Sequence, residues 1–294
     1  MTILFLVKAA LIILIACTLF VFIKDYLHAA REGRLEKTNF ISLGIVGFIT
    51  NFFDTLGIGS FAPTTALLKN FKLSADRTIP GTLNVSSTLP VFFQALIFIT
   101  VIKVEPLTLI AMFTSATMGS ILGAGLVSKL DENKVRIGLG SALLVIALAM
   151  LTDQLKLMPS GGTAIGLPAG KLALAAGVTF ILGALATIGV GFYAPCMALV
   201  FALGMSPRVA FPIMMSSCAF LMPAASIRFI KEGAYDRKAS LAIALFGSVA
   251  VFLAAYIVKS LPLHTLKWLV IAVIVFTAGM MFRSALEKAK NLKR

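Results

Sequence analysis

Nine apolar segments follow one another along the chain, separated by short polar stretches. Most contain about 20 residues, the length that an α-helix needs to cross the hydrocarbon core of a bilayer. Long apolar runs with few charges are typical of transmembrane helices, so the pattern predicts an all-α integral membrane protein. The segments cover residues 2–23, 40–68, 79–102, 106–128, 135–152, 172–204, 208–230, 239–258 and 264–282.

Two of the segments are longer than one straight span requires, and each is interrupted near its middle. Segment 40–68 contains Gly57-Ile-Gly-Ser-Phe-Ala-Pro63, and segment 172–204 contains Gly189-Val-Gly-Phe-Tyr-Ala-Pro195. Glycine and proline are poor residues for the interior of a helix. Each long segment is therefore predicted to be either one kinked span or a re-entrant helical hairpin that enters and leaves on the same side.

The two heptapeptides lie 132 residues apart, and further positions match at the same offset. Ser74 matches Ser206, and Pro80 matches Pro212. We interpret the chain as a duplication within one transmembrane domain that covers residues 1–294. The expected parts are an extra amino-terminal helix with a basic loop (1–38), repeat 1 (39–152), a linker (153–170) and repeat 2 (171–294).

The distribution of Lys and Arg favours one of the two topologies. The chain carries 26 Lys and Arg, and nine crossings would place 16 of them on the side of the carboxyl terminus; two re-entrant hairpins raise this number to 19. Because Lys and Arg are enriched in cytoplasmic loops, the hairpins are favoured, with the amino terminus outside and the carboxyl terminus in the cytoplasm.

Each repeat then has one hairpin and three spans, which is an odd number of crossings. Two such repeats in tandem must be inverted relative to each other, a common plan in transporters. The hairpin tips enter from opposite sides and are expected to approach each other near the midplane of the membrane.

Composition supports the membrane interpretation. Hydrophobic residues make up 59% of the chain and charged residues 13%, and the mean hydropathy is +1.00. The net charge of +14 lies in short clusters between apolar segments, so it is explained by topology. No basic face with a stacking motif is present, and nucleic acid is not an expected partner.

The two breaks are predicted to bind a small oxyanion. Helices that restart at Pro63 and Pro195 direct free N–H groups and a partial positive charge toward the break, which suits an anion. The alternative is that the nearby small and hydroxyl residues serve only close packing and bond to their own helices. The candidate substrate-binding residues are Gly57, Gly59, Ser60, Pro63, Thr64, Asn84, Ser87, Gly189, Gly191, Tyr193, Pro195, Cys196, Ser216 and Ser217.

Asp54 is the one carboxylate deep inside an apolar segment, and Ala186 stands at the matching position of the second repeat. A charge at membrane depth is costly and is a functional candidate by default. Asp54 is therefore a candidate carrier of a coupling proton, and the alternative is that it lies near the hairpin tip and caps a helix or bonds to Asn51. H+ and Na+ are both candidate coupling ions, and the oligomeric state is left open.

Motifs of enzymes are missing from the sequence. It contains no H-E-x-x-H, G-x-S-x-G or Walker pattern and no paired metal ligands, so neither enzyme activity nor a cofactor or metal is expected. A secondary transporter is the main interpretation. A membrane-embedded enzyme or assembly factor and an anion channel are the alternatives.

The arrangement of glycines and prolines resembles the sulfite exporter TauE/SafE family, also described as the 4-toluene sulfonate uptake permease group. The likeness extends over roughly residues 40–285, and Ser60 and Phe192 replace the third glycine of the G-x-G-G pattern that many members carry. The residues that carry the likeness are Gly44, Gly47, Gly57, Gly59, Pro63, Gly119, Gly123, Gly183, Gly189, Gly191 and Pro195.

The resemblance implies a multi-pass permease of the bacterial or archaeal cytoplasmic membrane. It further implies sulfur-containing anions as substrates, such as sulfite, thiosulfate or organosulfonates, moved by alternating access.

Overall fold

The computed structural model describes residues 3–127, 132–155, 162–186 and 191–291. Over these residues the protein consists of α-helices and two short 3-10 turns without any strand, which confirms the all-α prediction. The helices are α1 (Ile3–Arg31), α2 (Phe40–Thr55), α3 (Phe61–Asn70), α4 (Ile79–Val101), α5 (Pro106–Val127), α6 (Glu132–Gln154), α7 (Ala169–Ala186), α8 (Tyr193–Ala202), α9 (Ala210–Lys231), α10 (Arg237–Ser260) and α11 (Leu263–Asn291).

Seven helices of the described residues are long and apolar enough to cross a membrane. They are α1, α4, α6, α7, α9, α10 and α11, while α2, α5 and α8 offer shorter apolar stretches. Many of their large hydrophobic side chains are exposed, for example Phe20 at 70% and Val145 at 69%. Such surfaces suit lipid as the solvent, so the protein is a multi-pass membrane protein.

The order of the helices repeats along the chain. Helices α3 and α8 both have ten residues and start 132 residues apart. The residue after each C-cap is left-handed in both copies, with φ of 51° at Lys72 and 87° at Gly204. The N–H group of the following residue donates to a carbonyl oxygen of the last helical turn, from Leu73 to Leu68 in one copy and from Met205 to Val200 in the other. These matches support duplication, and the inverted orientation stays a prediction.

The chain forms two compact units, and each unit combines elements of both expected repeats. Unit 1 contains Met1–Val101 and Cys218–Lys259, which hold α1 to α4, the end of α9 and most of α10. Unit 2 contains Ile102–Ser217 and Ser260–Arg294, which hold α5 to α8, the start of α9 and α11. The proposed boundaries of the repeats and linker stay a prediction.

Glycines let helices approach closely within each unit. In unit 1, a Cβ atom at Gly47 would lie 2.5 Å from the Cα atom of Ile243, so the backbones of α2 and α10 lie directly against each other. In unit 2, a Cβ atom at Gly119 or at Gly183 would overlap the carbonyl oxygen of the facing helix, α7 or α5. Since α5 and α10 occupy matching places in the two repeats, as α2 and α7 do, the same crossing occurs twice.

The end of α1 is tied to the start of α10 within unit 1. Asp25 accepts a hydrogen bond of 2.5 Å from the hydroxyl group of Tyr235 and one of 2.8 Å from Nε of Arg237. The ion pair is largely shielded, because the exposed fractions of the two charged side chains are 14% and 24%. A shielded pair with a second hydrogen bond holds its partners more firmly than a surface pair.

Two carboxylates cap the amino end of α10. Glu36 accepts hydrogen bonds from the backbone N–H groups of Arg237 and Lys238, and Asp236 accepts one of 2.8 Å from the N–H group of Ala239. Negative charge at this end of a helix is favourable. A cavity of about 340 Å³ opens beside the two carboxylates, and Ser74 and Thr78 line its wall.

Replacing Asp236 by asparagine should change how the stability of the protein depends on pH. Burial, with the nearby charge of Glu36, raises the pKa of Asp236 from 3.8 to about 6. The folded state therefore holds a proton at Asp236 that the unfolded state releases, and the contribution of Asp236 to the stability falls as pH rises from about 4 to about 6. Asparagine keeps the N-cap and has no proton to lose.

We therefore expect the melting temperature of Asp236→Asn minus that of the wild type to increase across this pH interval and then to level off. The measurement is thermal unfolding in detergent, followed by the fluorescence of Trp268. Asp76→Asn changes an exposed carboxylate of the same unit. Its melting temperature minus that of the wild type should stay the same across this pH interval. A constant offset for Asp236→Asn at every pH would contradict the assignment.

Candidate functional site

The first break is a tight turn between α2 and α3 that two glycines make possible. Gly57 and Gly59 have φ values of 98° and 90°, a region that side chains with a Cβ atom rarely adopt. The N–H group of Gly57 bonds to the carbonyl oxygen of Asp54, and that of Ile58 bonds to the carbonyl oxygen of Phe53. This pair of hydrogen bonds is a Schellman motif, which satisfies the last carbonyl groups of α2.

The amino end of α3 is left without a side-chain cap. Ser60 occupies the N-cap position, and its side chain makes no capping hydrogen bond. The N–H groups of Phe61 and Ala62 therefore have no acceptor among the described residues, and Pro63 has no N–H group to offer. Ala62 is exposed and Pro63 is half-buried, so this end is accessible to a ligand.

The buried carboxylate of Asp54 connects the end of α2 to the start of α3 and to α4. One carboxylate oxygen accepts a hydrogen bond of 2.6 Å from the backbone N–H group of Ser60, and the other accepts one of 3.0 Å from Nε2 of Gln94 on α4. The exposed fraction of Asp54 is 2%. The structure thus brings together two of the predicted residues, Asp54 and Ser60.

Two further members of this cluster were not predicted from the sequence. Gln94 also donates from Nε2 to the hydroxyl oxygen of Thr55 at 2.8 Å, and both residues are fully buried. The signal that could have indicated Gln94 is its position as an amide inside the apolar run Val91-Phe-Phe-Gln-Ala-Leu96. The contact itself joins residues 40 positions apart, which the hydropathy pattern does not reveal.

The second break is built from different side chains. Gly189 lies outside the described residues, and Gly191 is exposed. Phe192 occupies the N-cap position of α8 without a side-chain cap, and the first turn that follows, with Tyr193, Pro195 and Cys196, is buried. This end of α8 therefore shares the missing cap with α3 but has neither the serine nor the carboxylate of the first break.

Three of the predicted hydroxyl and amide groups bond to their own helices. Asn84 donates to the carbonyl oxygen of Pro80, and Ser216, at the matching position, donates to that of Pro212. Ser217 donates to the carbonyl oxygen of Ile213. This is the packing alternative stated for these residues, and an additional role toward a ligand stays a prediction.

Thr64 and Ser87 are buried, at 2% exposure each. No hydrogen bond among the described residues links Asn84 or Ser87 to Asp54 and Ser60. The expected approach of the two breaks to each other also stays a prediction. Among the described residues, no group of three or more His, Cys, Asp and Glu side chains is placed to hold a metal ion.

Comparison with known proteins gives one match. Residues 172–294 match the family model described as Sulfite exporter TauE/SafE. The resemblance inferred from glycines and prolines is thereby confirmed over α7 to α11 and the second break. No curated protein and no solved structure matches the chain.

The TauE/SafE match fits the membrane character of the helices. TauE/SafE is a family of transporters, and seven helices of the described residues are long and apolar enough to cross a membrane. The family match also agrees with the absence of enzyme motifs in the sequence. The first break, with Asp54 and Gln94, lies outside the matched residues.

Proposed function

We propose that this protein is a secondary transporter that carries a small sulfur-containing oxyanion across the cytoplasmic membrane of a bacterium or archaeon by alternating access. Sulfite, thiosulfate and organosulfonates are the proposed substrate class. The observation that carries the proposal is the uncapped amino end of α3. The N–H groups of Phe61 and Ala62, which follow the turn at Gly57 and Gly59, have no acceptor there among the described residues. The family match of repeat 2 supports the choice of sulfur anions.

The chemistry of the first break suits an oxyanion. Backbone N–H groups at a helix start direct a partial positive charge of the helix toward the ligand, and several oxygen atoms of one anion can accept from neighbouring N–H groups. The turn before α3 keeps its backbone bare of bulky side chains at Gly57 and Gly59, so an anion can approach closely. Ser60 adds a hydroxyl group that is not used for capping.

The second break is proposed as the partner site. Tyr193, Pro195 and Cys196 form the first turn of α8, which is also uncapped. Membrane-embedded backbone outside regular helices is tolerated where it is buried in protein or lines a cavity. Each of the two helix starts offers backbone N–H groups, and no basic side chain, to an anion.

Counterflow in proteoliposomes tests the proposed function. Vesicles that contain purified protein are loaded with unlabelled sulfite and diluted into a trace of labelled sulfite. A carrier accumulates the label transiently against its gradient, whereas a channel only equilibrates it. Thiosulfate, taurine-derived sulfonates and chloride loaded instead of sulfite define the substrate class. If no sulfur anion supports counterflow, the proposed function is wrong.

A further inference from the structure

In unit 2, the loop before α7 is bonded to its surroundings through its backbone. The carbonyl oxygen of Ala164 accepts a hydrogen bond of 2.9 Å from the N–H group of Ser206, and Ala164 pairs with Met205 as in parallel strands. The carbonyl oxygen of Ile165 accepts one of 2.8 Å from the N–H group of Glu105, the residue before α5. The loop therefore connects the end of α8 to the start of α5.

Unit 1 contains the matching loop before α2. Counted back from the first residue of α2 and of α7, Leu35 takes the place of Ala164. Glu36 takes the place of Ile165, and its carboxylate accepts hydrogen bonds from the first two N–H groups of α10. Because α5 and α10 occupy matching places in the two repeats, both loops contact the corresponding helix start in the same register.

The bond between this loop and the end of the short helix is missing in unit 1. Ser74 follows α3 as Ser206 follows α8. The N–H group of Ser74 has no acceptor among the described residues. The cavity of about 340 Å³ lies here, lined by Glu36 and Thr38 of the loop and by the residues that follow α3. The junction that is closed in unit 2 is therefore open in unit 1.

Few hydrogen bonds hold the loop of unit 1 in place. It leaves α1 at Gly33, which has a φ of 65° and where a Cβ atom would meet nothing within 4 Å. Within residues 35–38, only the carboxylate of Glu36 makes hydrogen bonds to described residues. Segments with few backbone hydrogen bonds open and move at low cost. The carbonyl group of Leu35 can therefore turn toward Ser74 while Glu36 keeps its bonds to α10, since the loop of unit 2 makes both contacts at once.

We propose that residues 34–38 are a strap that closes the cavity of unit 1 during the transport cycle. In the closed state, the N–H group of Ser74 donates a hydrogen bond to the carbonyl oxygen of Leu35. The proposal rests on the proposed function, because alternating access requires parts that are open in one state and closed in another. The structure contains one example of each state of this junction.

Helix α3 connects the strap to the proposed anion site. Its amino end carries the N–H groups of Phe61 and Ala62, and its carboxyl end leads through Lys72 to Ser74. A helix of ten residues is about 15 Å long and moves as one piece. Anion binding that shifts α3 therefore also shifts Ser74 relative to the strap, and a closed strap ties this end of α3 to the start of α10.

Cysteine cross-linking tests for the closed state. In a variant without the native cysteines, Leu35→Cys/Leu73→Cys matches Ala164→Cys/Met205→Cys, the pair that is already bridged in unit 2. Bridged residues lie within the Cα–Cα range that a disulfide requires. If the closed state holds about a tenth of the molecules, the pair of unit 1 should form its disulfide about tenfold more slowly than that of unit 2. Lys37→Cys/Leu73→Cys, which is out of register, should react far more slowly than either.

Counterflow of labelled sulfite links closure to transport. Oxidation of Leu35→Cys/Leu73→Cys should abolish counterflow and reduction should restore it, while the parent without cysteines is unaffected by the oxidant. If its disulfide forms no faster than that of Lys37→Cys/Leu73→Cys, the strap does not close. If the disulfide forms and counterflow is unchanged, closure is not part of the transport cycle. Absence of counterflow in the parent would remove the proposed function, and the disulfide rates would still show whether the strap closes.

Distances between spin labels give a second test that leaves Leu73, which packs on the apolar core, unchanged. The labels are attached to Lys37→Cys on the loop and Arg77→Cys beyond the cavity, and both positions are exposed. Pulsed EPR should give two populations of distances, and sulfite should change their proportions. A single population that sulfite does not change would overturn the strap.

Discussion

An added methyl group at Gly183 will destabilise the protein strongly, whereas the same methyl group at Gly177 will not. Both glycines lie on α7. A Cβ atom at Gly183 would overlap the backbone carbonyl group of Ala116 on α5, and a Cβ atom at Gly177 meets nothing within 4 Å. Because the obstacle is backbone and not a movable side chain, the helices must separate, and the loss should reach about 3 kcal/mol, the upper end for overpacking.

The measurement is thermal unfolding of Gly183→Ala, Gly119→Ala and Gly177→Ala in the same detergent. A loss of this size lowers the melting temperature by roughly 6–12 °C in a chain of this length. Gly177→Ala should be neutral or slightly stabilising, because alanine is the better helix former. Equal melting temperatures for Gly183→Ala and Gly177→Ala would show that α5 and α7 do not cross at this point.

The double variant sharpens the test. Gly119 faces the backbone of Phe180, and Gly183 faces that of Ala116, so both positions belong to one crossing. Once one methyl group has moved the helices apart, the second adds less. The loss of stability in Gly119→Ala/Gly183→Ala should therefore be clearly smaller than the sum of the two single losses.

The helices could be predicted because the apolar pattern is strong and local. Segment 79–102 becomes α4 (Ile79–Val101), with its boundary shifted by one residue. The predictions fall short where a helix continues past the apolar run, as α1 does to Arg31 and α11 to Asn291. Charged residues at the end of a helix are good helix formers, and hydropathy does not register them.

The sequence did not predict which helices pack against each other. The repeats detected at an offset of 132 residues are contiguous in the sequence, while each compact unit contains helices from both. Glycine marks a position of close approach without indicating which helix approaches. Gly47 was assigned to the family likeness, and its physical role is contact with Ile243 on α10.

The candidate site was predicted in its backbone and only partly in its side chains. Helix-breaking glycines and the start at Pro63 follow from local chemistry, so the turn at Gly57 and Gly59 was expected. Gln94 was missed, because its role arises only when α4 packs on α2. The hydroxyl groups of Ser216 and Ser217 donate hydrogen bonds to carbonyl oxygens of their own helix, α9, as the packing alternative stated.

An aspartate in place of Ala62 is expected to abolish anion transport without unfolding the protein. Ala62 is exposed in the first turn of α3, beside the two N–H groups proposed to bind the anion. A negative side chain at a helix start stabilises the helix by about 0.3–1 kcal/mol, so the variant should remain folded. The same carboxylate accepts hydrogen bonds from these N–H groups and so competes with the substrate for them.

The size of the effect follows from electrostatics. Two unit charges about 5 Å apart repel by about 3 kcal/mol at an effective dielectric constant of about 20, and this corresponds to about two orders of magnitude in kcat/KM for sulfite uptake. Uptake is measured in proteoliposomes over a range of sulfite concentrations. Acid pH should not restore activity fully, since an aspartate bonded to free N–H groups stays ionised.

Two control variants separate charge at the site from other causes. Ala62→Asn has nearly the same shape without the charge and should lose far less activity. Ala66→Asp places the same charge on an exposed position of α3 one turn further along, away from the free N–H groups, and should fall between the two. If Ala62→Asp transports as well as Ala66→Asp, the anion does not bind at the start of α3, and the second break alone would remain as the proposed substrate site.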